Sequence, residues 1–366
     1  MASKGQVDRV FLAYILGLLL FGLIMLTSAS GPLGFDRFGD SYYYLKHQFF
    51  LGAVPGLVML FVASRVGYGT YKKNAFLLLI ISIALLVMVF IPGIGTDFGT
   101  FANSWVQFGS FSFQPSELVK LTFFMYLAAW LVERSHGDIT DVRSGLIPFL
   151  IILGIVAMLM MLQPDLGTLS IIAAVSFIMY FIAGSPIRHL LGIGALCIGA
   201  FTIAIKMSPY RAARLMTFLQ PELDPQGIGY QINQALLAIG SGGIFGRGYG
   251  HSLQKFQYLP EVVGDSIFAV MAEELGFIFT LIFLAAFLGM LLRGLDIAKN
   301  AKDRFGRYLV IAIISWFGVQ AFVNVGAIVG IMPLTGVPLP FMSYGGTALV
   351  VSLIAAGVVL NVSRKS

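Results

Sequence analysis

The sequence predicts an all-α polytopic membrane protein with about ten transmembrane helices, and three observations lead to this fold class. Hydrophobic residues make up 58% of the 366 residues and charged residues only 11%, whereas a soluble domain carries roughly 25% charged residues. The apolar residues form runs close to the roughly 20 residues that cross a bilayer. Lysine and arginine concentrate in alternate connections between those runs.

The candidate spans follow one another with short connections, apart from one long interruption before the eighth. Proline and glycine inside them are acceptable, because neighbouring helices satisfy the backbone groups that these residues leave unpaired. We expect no cleavable signal, since the first run is long enough to span. The runs are Val10–Ser28, Phe49–Ser64, Ala75–Ile91, Ser116–Leu131, Leu146–Leu162, Thr168–Ala183, Leu190–Ile205, Ser266–Leu292, Tyr308–Ile331 and Gly345–Leu360.

Loop charges orient the chain, because cytoplasmic loops of membrane proteins carry an excess of lysine and arginine. The loops at 92–114, 163–167 and 332–344 contain neither residue. Both termini (N-in, C-in) are therefore predicted to be cytoplasmic. Residues 1–366 then form one membrane domain, with a large extracytoplasmic loop at 207–265 between helices seven and eight. The cations assigned to the cytoplasmic side are Lys4, Arg9, Arg65, Lys72, Lys73, Arg134, Arg143, Arg188, Arg293, Lys299, Lys302, Arg304, Arg307, Arg364 and Lys365.

This distribution explains the net charge of +6 as a topology signal, so no nucleic-acid partner is predicted. No helix-turn-helix pattern, zinc-ligand spacing or alternation of aromatic and basic residues supports a nucleic-acid surface. Cys197 is the one cysteine in the sequence, which rules out an internal disulfide.

The predicted outer loop begins with cations and continues with an amphipathic helix. Arg211 and Arg214 lie three residues apart on one helical face, where they either bind a phosphate group or anchor to anionic lipid headgroups. Over Tyr230–Ile239 the apolar residues recur with helical spacing, while Gln231 and Gln234 form a polar side. We expect this helix to lie on the membrane interface or dip into it.

Two glycine-containing segments flank this helix. The first is a turn predicted at Pro221–Gly227. The second is the glycine-dense stretch Ser241–Gly250, whose backbone N–H groups are able to approach a ligand closely. That stretch lacks the GxxxxGK[ST] spacing of a nucleotide-binding loop. A flexible hinge and a backbone grip on a lipid pyrophosphate both stay open for it.

Acidic residues crowd the end of the outer loop, after the cation Lys255. Asp265 precedes the apolar run SIFAVMA and therefore lies at the first turn of a membrane helix. It is either an N-cap or a functional acid, since ionisable groups at the rim of a bilayer are costly and tend to mark sites. Glu273 and Glu274 are expected either to pair inside the bundle or to support that site.

Two further candidates lie at the outer ends of other helices. Glu117 and Lys120 are one helical turn apart and able to pair, and their position in a membrane indicates a polar cavity, since buried ion pairs are poor stabilisers. Asp165 lies in a tight turn, where Asp also favours local hydrogen bonds. The segment PLTGVPLPFMSYGGT has a broken backbone that is tolerated at membrane depth only when buried in protein or lining a wet cavity.

Six segments occur in a fixed order between the predicted helices: FQPSELVKL, LQPDLGT, RAARLMTFLQPELDPQGIGYQ, AIGSGGIFGRGYG, SLQKFQYLPEVVGDSIFAVMAEELGF and PLTGVPLPFMSYGGT. Together they resemble the SEDS family, which includes FtsW, RodA and SpoVE, over nearly the whole chain. The resemblance implies a multi-pass peptidoglycan glycosyltransferase of the bacterial cytoplasmic membrane. Such an enzyme polymerises lipid II into β-1,4-linked glycan strands on the outer face during cell elongation or division. The resemblance also implies a class B penicillin-binding protein, a transpeptidase, as partner.

The resemblance also implies roles for individual residues. The family's essential acid falls on Asp265, which implies a general base that takes the proton of an acceptor hydroxyl during inverting transfer. The residues implied to bind the undecaprenyl-pyrophosphate-linked substrate are Glu117, Lys120, Asp165, Arg214, Gln234, Lys255 and Ser343.

Three positions depart from the family pattern. The family commonly reads N-G-A-x-R-W-I before the QPSE motif, whereas here Phe101 stands at the glycine and Ser104 at the arginine, and Trp105 is kept. The role of that arginine is therefore in doubt in this chain. Gly264 replaces the Thr or Ser that often precedes the essential acid.

The sequence leaves alternatives open for the cofactor and for the function. A divalent cation, Mg²⁺ or Mn²⁺, is compatible with pyrophosphate chemistry, although no ligand cluster in the sequence demands one. Membrane lipids complete the predicted partners. A lipid II flippase suits intramembrane charges and broken helices as well, but the ionisable residues gather at the outer helix ends instead of tracing a path through the midplane. A non-catalytic scaffold for the transpeptidase is the third reading.

Overall fold

A computed structural model of the chain describes residues 5, 7–93, 95–96, 104–109, 111–206, 209–220 and 227–364. The described residues are mainly helical. In chain order the helices are α1 (Arg9–Phe38), α2 (Tyr43–Gln48), α3 (Val54–Arg65), α4 (Tyr68–Met88), α5 (Pro115–Val132), α6 (His136–Thr140), α7 (Ile147–Leu162), α8 (Leu166–Ile182), α9 (Ile187–Lys206), α10 (Pro209–Leu219), α11 (Ile228–Gly242), α12 (Ile267–Lys299), α13 (Arg304–Ile328) and α14 (Gly346–Arg364).

The polytopic helical fold predicted from the sequence is confirmed. Among the described residues, eight helical segments are long and apolar enough to cross a membrane, and Leu166–Ile182 and Ile187–Ile203 are shorter apolar segments. Two of the eight include a π-helical turn, at Phe49–Ala53 between α2 and α3 and at Val142–Leu146 before α7. The predicted outer loop contains α10 and α11, so a helix does cover Tyr230–Ile239.

A small antiparallel sheet adds strands to this helical architecture. Its strands β1 (Gly95–Thr96), β2 (Trp105–Phe108) and β3 (Phe111–Phe113) pair in the order β1-β2-β3. Aromatic and β-branched residues favour strands, and Gly109 takes the positive φ of +60° that a tight hairpin turn requires. The sheet lies in the connection between α4 and α5 that the sequence predicts as an outer loop.

The first and last helices bring the described residues near both termini to one end of the helix bundle. The Asp8 backbone N–H donates to Ser363 Oγ at 3.0 Å, and the Asp8 carboxylate pairs with Arg293 at 2.7 Å. Asn361 Nδ2 donates to the Ser64 carbonyl at 2.7 Å. This arrangement agrees with termini on the same side of a membrane. That this side is cytoplasmic stays a prediction from the loop charges.

Helix α12 is interrupted at Gly276, whose φ of 76° and ψ of −179° are not helical. The glycine-dense stretch repairs the interruption through the backbone at 243–248. There the Arg247 and Gly248 N–H groups donate to the Glu273 and Glu274 carbonyls at 3.0 and 2.9 Å. In return, the N–H groups of residues 277 and 278 donate to the carbonyls of residues 243 and 244 at 2.9 and 3.2 Å. A break in a membrane helix is tolerated when neighbouring backbone satisfies it in this way.

The glycines of that stretch therefore serve helix packing. A Cβ on Gly242 would collide with the Ala272 carbonyl, and one on Gly246 would collide with the Glu274 carbonyl. The close backbone approach that the sequence predicts is present, and its partner in the structure is α12. In this conformation the stretch acts as a backbone clamp.

Candidate functional site

The loop between α13 and α14, residues 329–345, lies at the centre of the candidate site. Two amides one helical turn apart on α13 hold it: Gln320 Nε2 donates to the Pro338 carbonyl and Asn324 Nδ2 to the Val337 carbonyl, both at 2.8 Å. Val337 is almost fully buried. The broken PLTGVPLPFMSYGGT backbone is thus packed within protein, as predicted for irregular backbone at this depth.

Asp265 is anchored to this loop and to two helices. Its backbone carbonyl accepts from Asn324 Nδ2 at 2.9 Å, and the Tyr344 N–H donates to the Val263 carbonyl two residues earlier at 2.7 Å. Its side-chain Oδ1 lies 3.3 Å from Nε2 of Gln231. The N-cap of α12 is the next residue, at 266. The N-cap alternative for Asp265 is therefore wrong.

The surroundings of Asp265 set its acidity. Burial raises the pKa of this carboxyl from 3.8 to about 7, and the negative charge of Glu261 acts in the same direction. The Arg214 guanidinium and the hydrogen bond from Gln231 lower the pKa and so limit the rise. A general base works best when its pKa lies near the operating pH. Asp265 has the acidity required for that role.

The glycine before the acid bears on this acidity. A Cβ at Gly264 would lie 3.3 Å from a carboxylate oxygen of Glu261, so a Thr or Ser at this position would press on that side chain. With glycine in place, Glu261 has room beside Asp265, and its charge contributes to the raised pKa.

Arg214 is the predicted cation that lies near the acid. It is a half-buried residue of α10, its Nη1 donates to the Leu334 carbonyl at 3.2 Å, and its charge reaches Asp265. The side chain of Arg211 lies outside the described part of the chain. So do Phe101 and residues 221–226 of the predicted turn.

The predicted pair of Glu117 and Lys120 is confirmed, and it is fully enclosed. Lys120 Nζ donates to Glu117 Oε1 at 2.7 Å and to Gln320 Oε1 at 2.9 Å, and it lies 5.0 Å from the Trp316 ring centroid. Gln320 and Asn324 are four residues apart on α13, so they share one helix face. One turn of α13 therefore connects the Lys120 pair with the backbone of Asp265.

Buried polar atoms without a protein partner concentrate around this connection. Most native buried polar groups are hydrogen-bonded, and exceptions call for an explanation such as a ligand. Among the residues that the structure describes, those in the α13–α14 loop or joined to it by the contacts above and by Gly167 are Glu117 Oε2, Asp165 Oδ2, Asn324 Oδ1 and Thr335 Oγ1. This part of the bundle has the polar capacity to receive a hydroxylated or phosphorylated ligand.

Asp165 caps α8, because its Oδ1 accepts from the Thr168 N–H at 3.0 Å. The local turn role expected for it is thus present. The neighbouring Gly167 packs against Thr335 of the α13–α14 loop, where a Cβ would collide with the loop backbone. Ser104, at the family's arginine position, is buried and donates to the Gln163 carbonyl at 3.2 Å. A substrate-binding role for Asp165 stays a prediction.

Two other predicted substrate residues have different settings. Ser343 is buried, and its Oγ accepts from the Leu339 N–H at 2.8 Å, which stabilises the α13–α14 loop. Gln234 is half-buried, and its side chain has no hydrogen-bond partner among the described residues. The glutamine that contacts the acid is Gln231, one turn earlier on α11. Sequence reasoning placed both glutamines on the polar side of this helix and had no signal to choose between them.

Lys255 lies in a separate and closed cluster. Its Nζ donates to Glu274 Oε1 at 2.8 Å, to Ser28 Oγ at 2.9 Å and to the Gly250 carbonyl at 2.7 Å. An ammonium has three protons to donate, and all three are used. In this conformation Lys255 has no N–H for a pyrophosphate, so its implied role in substrate binding gains no support from these contacts.

The glutamates of that cluster are equally well satisfied. Glu273 accepts from Ser252 Oγ at 2.5 Å and from the Leu253 N–H at 3.0 Å, and Arg247 lies 3.4 Å away. Glu274 accepts from Ser28 Oγ at 2.6 Å. The expectation that these two acids pair inside the bundle is therefore confirmed.

The candidate base Asp265 has one acidic neighbour whose charge acts on it, Glu261. Mg²⁺ is commonly held by one or two carboxylates together with substrate phosphates. Among the described residues, no group of three His, Cys, Asp or Glu side chains is placed to hold a metal ion. A divalent cation stays a prediction that depends on substrate phosphates supplying the remaining ligands.

Comparisons with known proteins cover the whole fold. Residues 9–366 match the family of FtsW, RodA and SpoVE, described as cell cycle proteins. Stage V sporulation protein E of Bacillus subtilis (strain 168) is 41% identical over 364 residues, which span 100% of this chain and 99% of that protein. The probable peptidoglycan glycosyltransferase FtsW of Trichlorobacter lovleyi is 39% identical over 358 residues, 98% of this chain and 93% of that protein.

Two solved structures resemble the chain over nearly its full length. One is a chain from a structure described as showing structural coordination of polymerization and crosslinking by a peptidoglycan synthase complex. Its TM-score is 0.81 at 28% identity, with 98% of each chain covered. The other is the Thermus thermophilus rod shape determining protein RodA, with a TM-score of 0.72 at 27% identity over 98% of this chain and 97% of that chain.

Proposed function

This chain belongs to the FtsW, RodA and SpoVE family, and we propose that it polymerises lipid II by inverting transfer with Asp265 as general base. It is a peptidoglycan glycosyltransferase of bacterial cell-wall synthesis that is embedded in the cytoplasmic membrane. The observation that supports the mechanism best is the half-buried Asp265 with a pKa of about 7. It lies beside Arg214, at a junction rich in buried polar atoms without a protein partner.

The proposed step is a nucleophilic substitution. The 4-hydroxyl oxygen of the acceptor GlcNAc attacks the anomeric carbon of the donor MurNAc. As the new β-1,4 bond forms, the bond from that carbon to the pyrophosphate oxygen breaks, and undecaprenyl pyrophosphate leaves with the electron pair. Asp265 takes the hydroxyl proton. Attack opposite the leaving group inverts the α-linked centre.

The leaving pyrophosphate develops negative charge, which a fixed cation stabilises most in a site that excludes water. Arg214 is near Asp265 and is the first candidate. Lys120 is a second cation at the same junction, although its ammonium is paired with Glu117 in this conformation. Lys255 is less suitable, because its three protons are used within a closed cluster.

A partner is part of the proposal. One of the similar solved chains belongs to a peptidoglycan synthase complex whose structure is described as showing coordination of polymerization and crosslinking. We expect this chain likewise to work with a class B penicillin-binding protein that supplies the transpeptidase. Lipid II presents its polyprenyl tail from the membrane, which explains why an enzyme for a sugar polymer is mostly membrane helix.

The test is polymerisation of lipid II by purified protein in detergent, with glycan chains scored on a gel. It is run with the chain alone and with a co-purified class B penicillin-binding protein whose transpeptidase is blocked by a β-lactam. We expect glycan chains from the wild type. We expect Asp265→Asn to lose about 10²–10⁴-fold in rate, the range that general-base assistance supplies.

Glu261→Gln is the matched control, because it makes the same carboxylate-to-amide change four residues away. This variant should stay active, with a lower pKa at Asp265 because a like charge is removed. An Asp265→Asn protein that polymerises at the wild-type rate would exclude the base assignment. Absence of product from the wild type in both formats, with headgroup transfer in liposomes, would favour a flippase instead.

A further inference from the structure

Gln231 makes the side-chain contact with Asp265 that the mechanism above leaves unexplained. Its Nε2 lies 3.3 Å from Asp265 Oδ1 and 3.0 Å from Ser266 Oγ, so both protons of the carboxamide have a partner. Among the residues that the structure describes, Asp265 Oδ2 accepts no hydrogen bond from another side chain, and the backbone N–H of Asp265 also acts on its own carboxyl. The two oxygens of the carboxylate are therefore in different environments.

The position of Gln231 is set by how α11 packs on α12. Ala235 and Ala238 of α11 are fully buried, and Gly242 lies in backbone contact with Ala272 of α12. Small residues along one face allow two helices to approach closely. The carboxamide is thus held over the start of α12 by a packed helix and does not depend on a flexible segment.

We propose that Gln231 is a positioning residue for the glycosyl transfer, which holds Oδ1 of Asp265 so that Oδ2 is presented to the acceptor hydroxyl. The inference rests on the proposed function, because it assigns a helper to the base named there. A carboxylate fixed through one oxygen loses rotational freedom before the reaction, and correct prior orientation of a reacting group lowers the barrier.

The charges around Asp265 determine in which direction its pKa should move when Gln231 is changed. Arg214 faces the acid from α10, and Glu261 faces it from its own turn. From α13 the neighbour is the neutral Asn324, and the α13–α14 loop carries no charged residue between 329 and 345. The hydrogen bond from Gln231 lowers the pKa of Asp265. Removing that hydrogen bond should therefore raise the pKa of the base.

The experiment measures lipid II polymerisation as a function of pH for the wild type, Gln231→Met and Gln231→Glu. Methionine keeps the length of the side chain and removes the donor, so the acid limb of the rate profile should move up by about one pH unit, the size of a modest hydrogen bond to a charged group. Glutamate adds a like charge at the same place and should move the limb further. KM for lipid II should change less than kcat.

Gln234→Met is the matched control, since it makes the same change one turn later on α11, at a residue with no partner among those described. The quantity compared is the pH of the acid limb of the rate profile, whatever the effect of the change on the rate itself. For Gln234→Met this pH should equal that of the wild type. Equal limbs for Gln231→Met and wild type, or an equal shift in Gln234→Met, would overturn the inference.

Failure of the proposed function would look different. A wild-type protein without polymerase activity, or an Asp265→Asn variant as active as wild type, rejects the base itself. A pH-invariant Gln231→Met variant alongside an inactive Asp265→Asn variant rejects only the role of Gln231. Should Gln231→Met fold poorly, Gln231→Leu carries the same test, because it also removes the donor without adding a charge, and a structural role alone predicts no movement of its acid limb.

Discussion

Acidic residues lie at both ends of the part of α12 that precedes the break at Gly276, and the two ends differ in how many partners the acids have. Glu273 and Glu274 are fully enclosed and accept hydrogen bonds from Ser252, Ser28 and Lys255. Asp265, eight residues before Glu273, is half-buried, and among the described residues one side chain, that of Gln231, donates a hydrogen bond to its carboxylate. Glu274 is neutralised by Lys255, whereas burial disfavours the ionised form of Asp265 and raises its pKa.

The comparison indicates which acid is suited to chemistry. A buried carboxylate with a cation and several donors is held in its ionised form, and its bonding capacity is used. A carboxylate with few donors and a like charge nearby has a raised pKa and an oxygen that is available to a substrate. On this argument the closed cluster holds the broken helix together, while the open acid is the one that we propose as the base.

The largest expected effect comes from Asp265→Asn, which should lose activity without losing stability. The native pKa of about 7 lies above the ordinary 3.8, so the native state binds the proton more tightly than the unfolded chain. Stability from this group is then present at low pH and is lost as pH rises from 3.8 through about 7. Asparagine does not ionise. The nearly inactive variant should therefore unfold at a temperature equal to or above that of wild type at pH 8.

Thermal unfolding in detergent at pH 5 and pH 8 checks this sign. The gap between variant and wild type should be larger at pH 8. A variant that unfolds well below wild type at both pH values would assign Asp265 to structure and remove the contrast with the closed cluster.

Breaking the closed cluster should have the opposite signature. Lys255→Met leaves Glu274 buried without its cation, and the loss of one partner of a buried pair costs about 3–5 kcal/mol. We expect poor expression or a much lower unfolding temperature. The double variant Lys255→Met with Glu274→Gln removes both charges and should recover most of that stability. No recovery would mean that the pairing is not the source of the effect.

A smaller effect is expected from the backbone clamp that supports the closed cluster. Gly246 has a φ of +80°, and a Cβ there would meet the Glu274 carbonyl. A non-glycine residue in such a conformation costs on the order of 1–3 kcal/mol, so Gly246→Ala should lower the unfolding temperature. Gly240→Ala is the control, because it lies in α11 with open space around it. Equal effects of the two changes would contradict a clamp.

The smallest expected effect concerns the cap of α8. Asp165→Ala removes the acceptor for the Thr168 N–H, and the loss of an N-cap costs about 1 kcal/mol. Asp165→Asn keeps the cap and should keep wild-type stability. Polymerisation by Asp165→Asn then reports on substrate binding alone: a raised KM for lipid II would support the implied role, and unchanged kinetics would leave Asp165 as a cap.

Local patterns in the sequence determined much of this molecule. The apolar runs and loop charges predicted the membrane helices, because span length and charge placement are set by the bilayer and not by tertiary contacts. The pairing of Glu117 with Lys120 and the turn role of Asp165 were also predictable, since residues three apart on a helix meet whatever the rest of the chain does. The family motif singled out Asp265.

Only the tertiary structure decided which polar side chains bind to which of the predicted site residues. Lys255 meets Ser28 across 227 positions of sequence, Asn324 reaches the Asp265 carbonyl, and Gln231 rather than Gln234 touches the acid. Each of these contacts depends on how separate helices pack, and no local periodicity encodes that. Sequence therefore identified the ionisable residues, and packing decided which of them are neutralised by partners and which keeps a raised pKa.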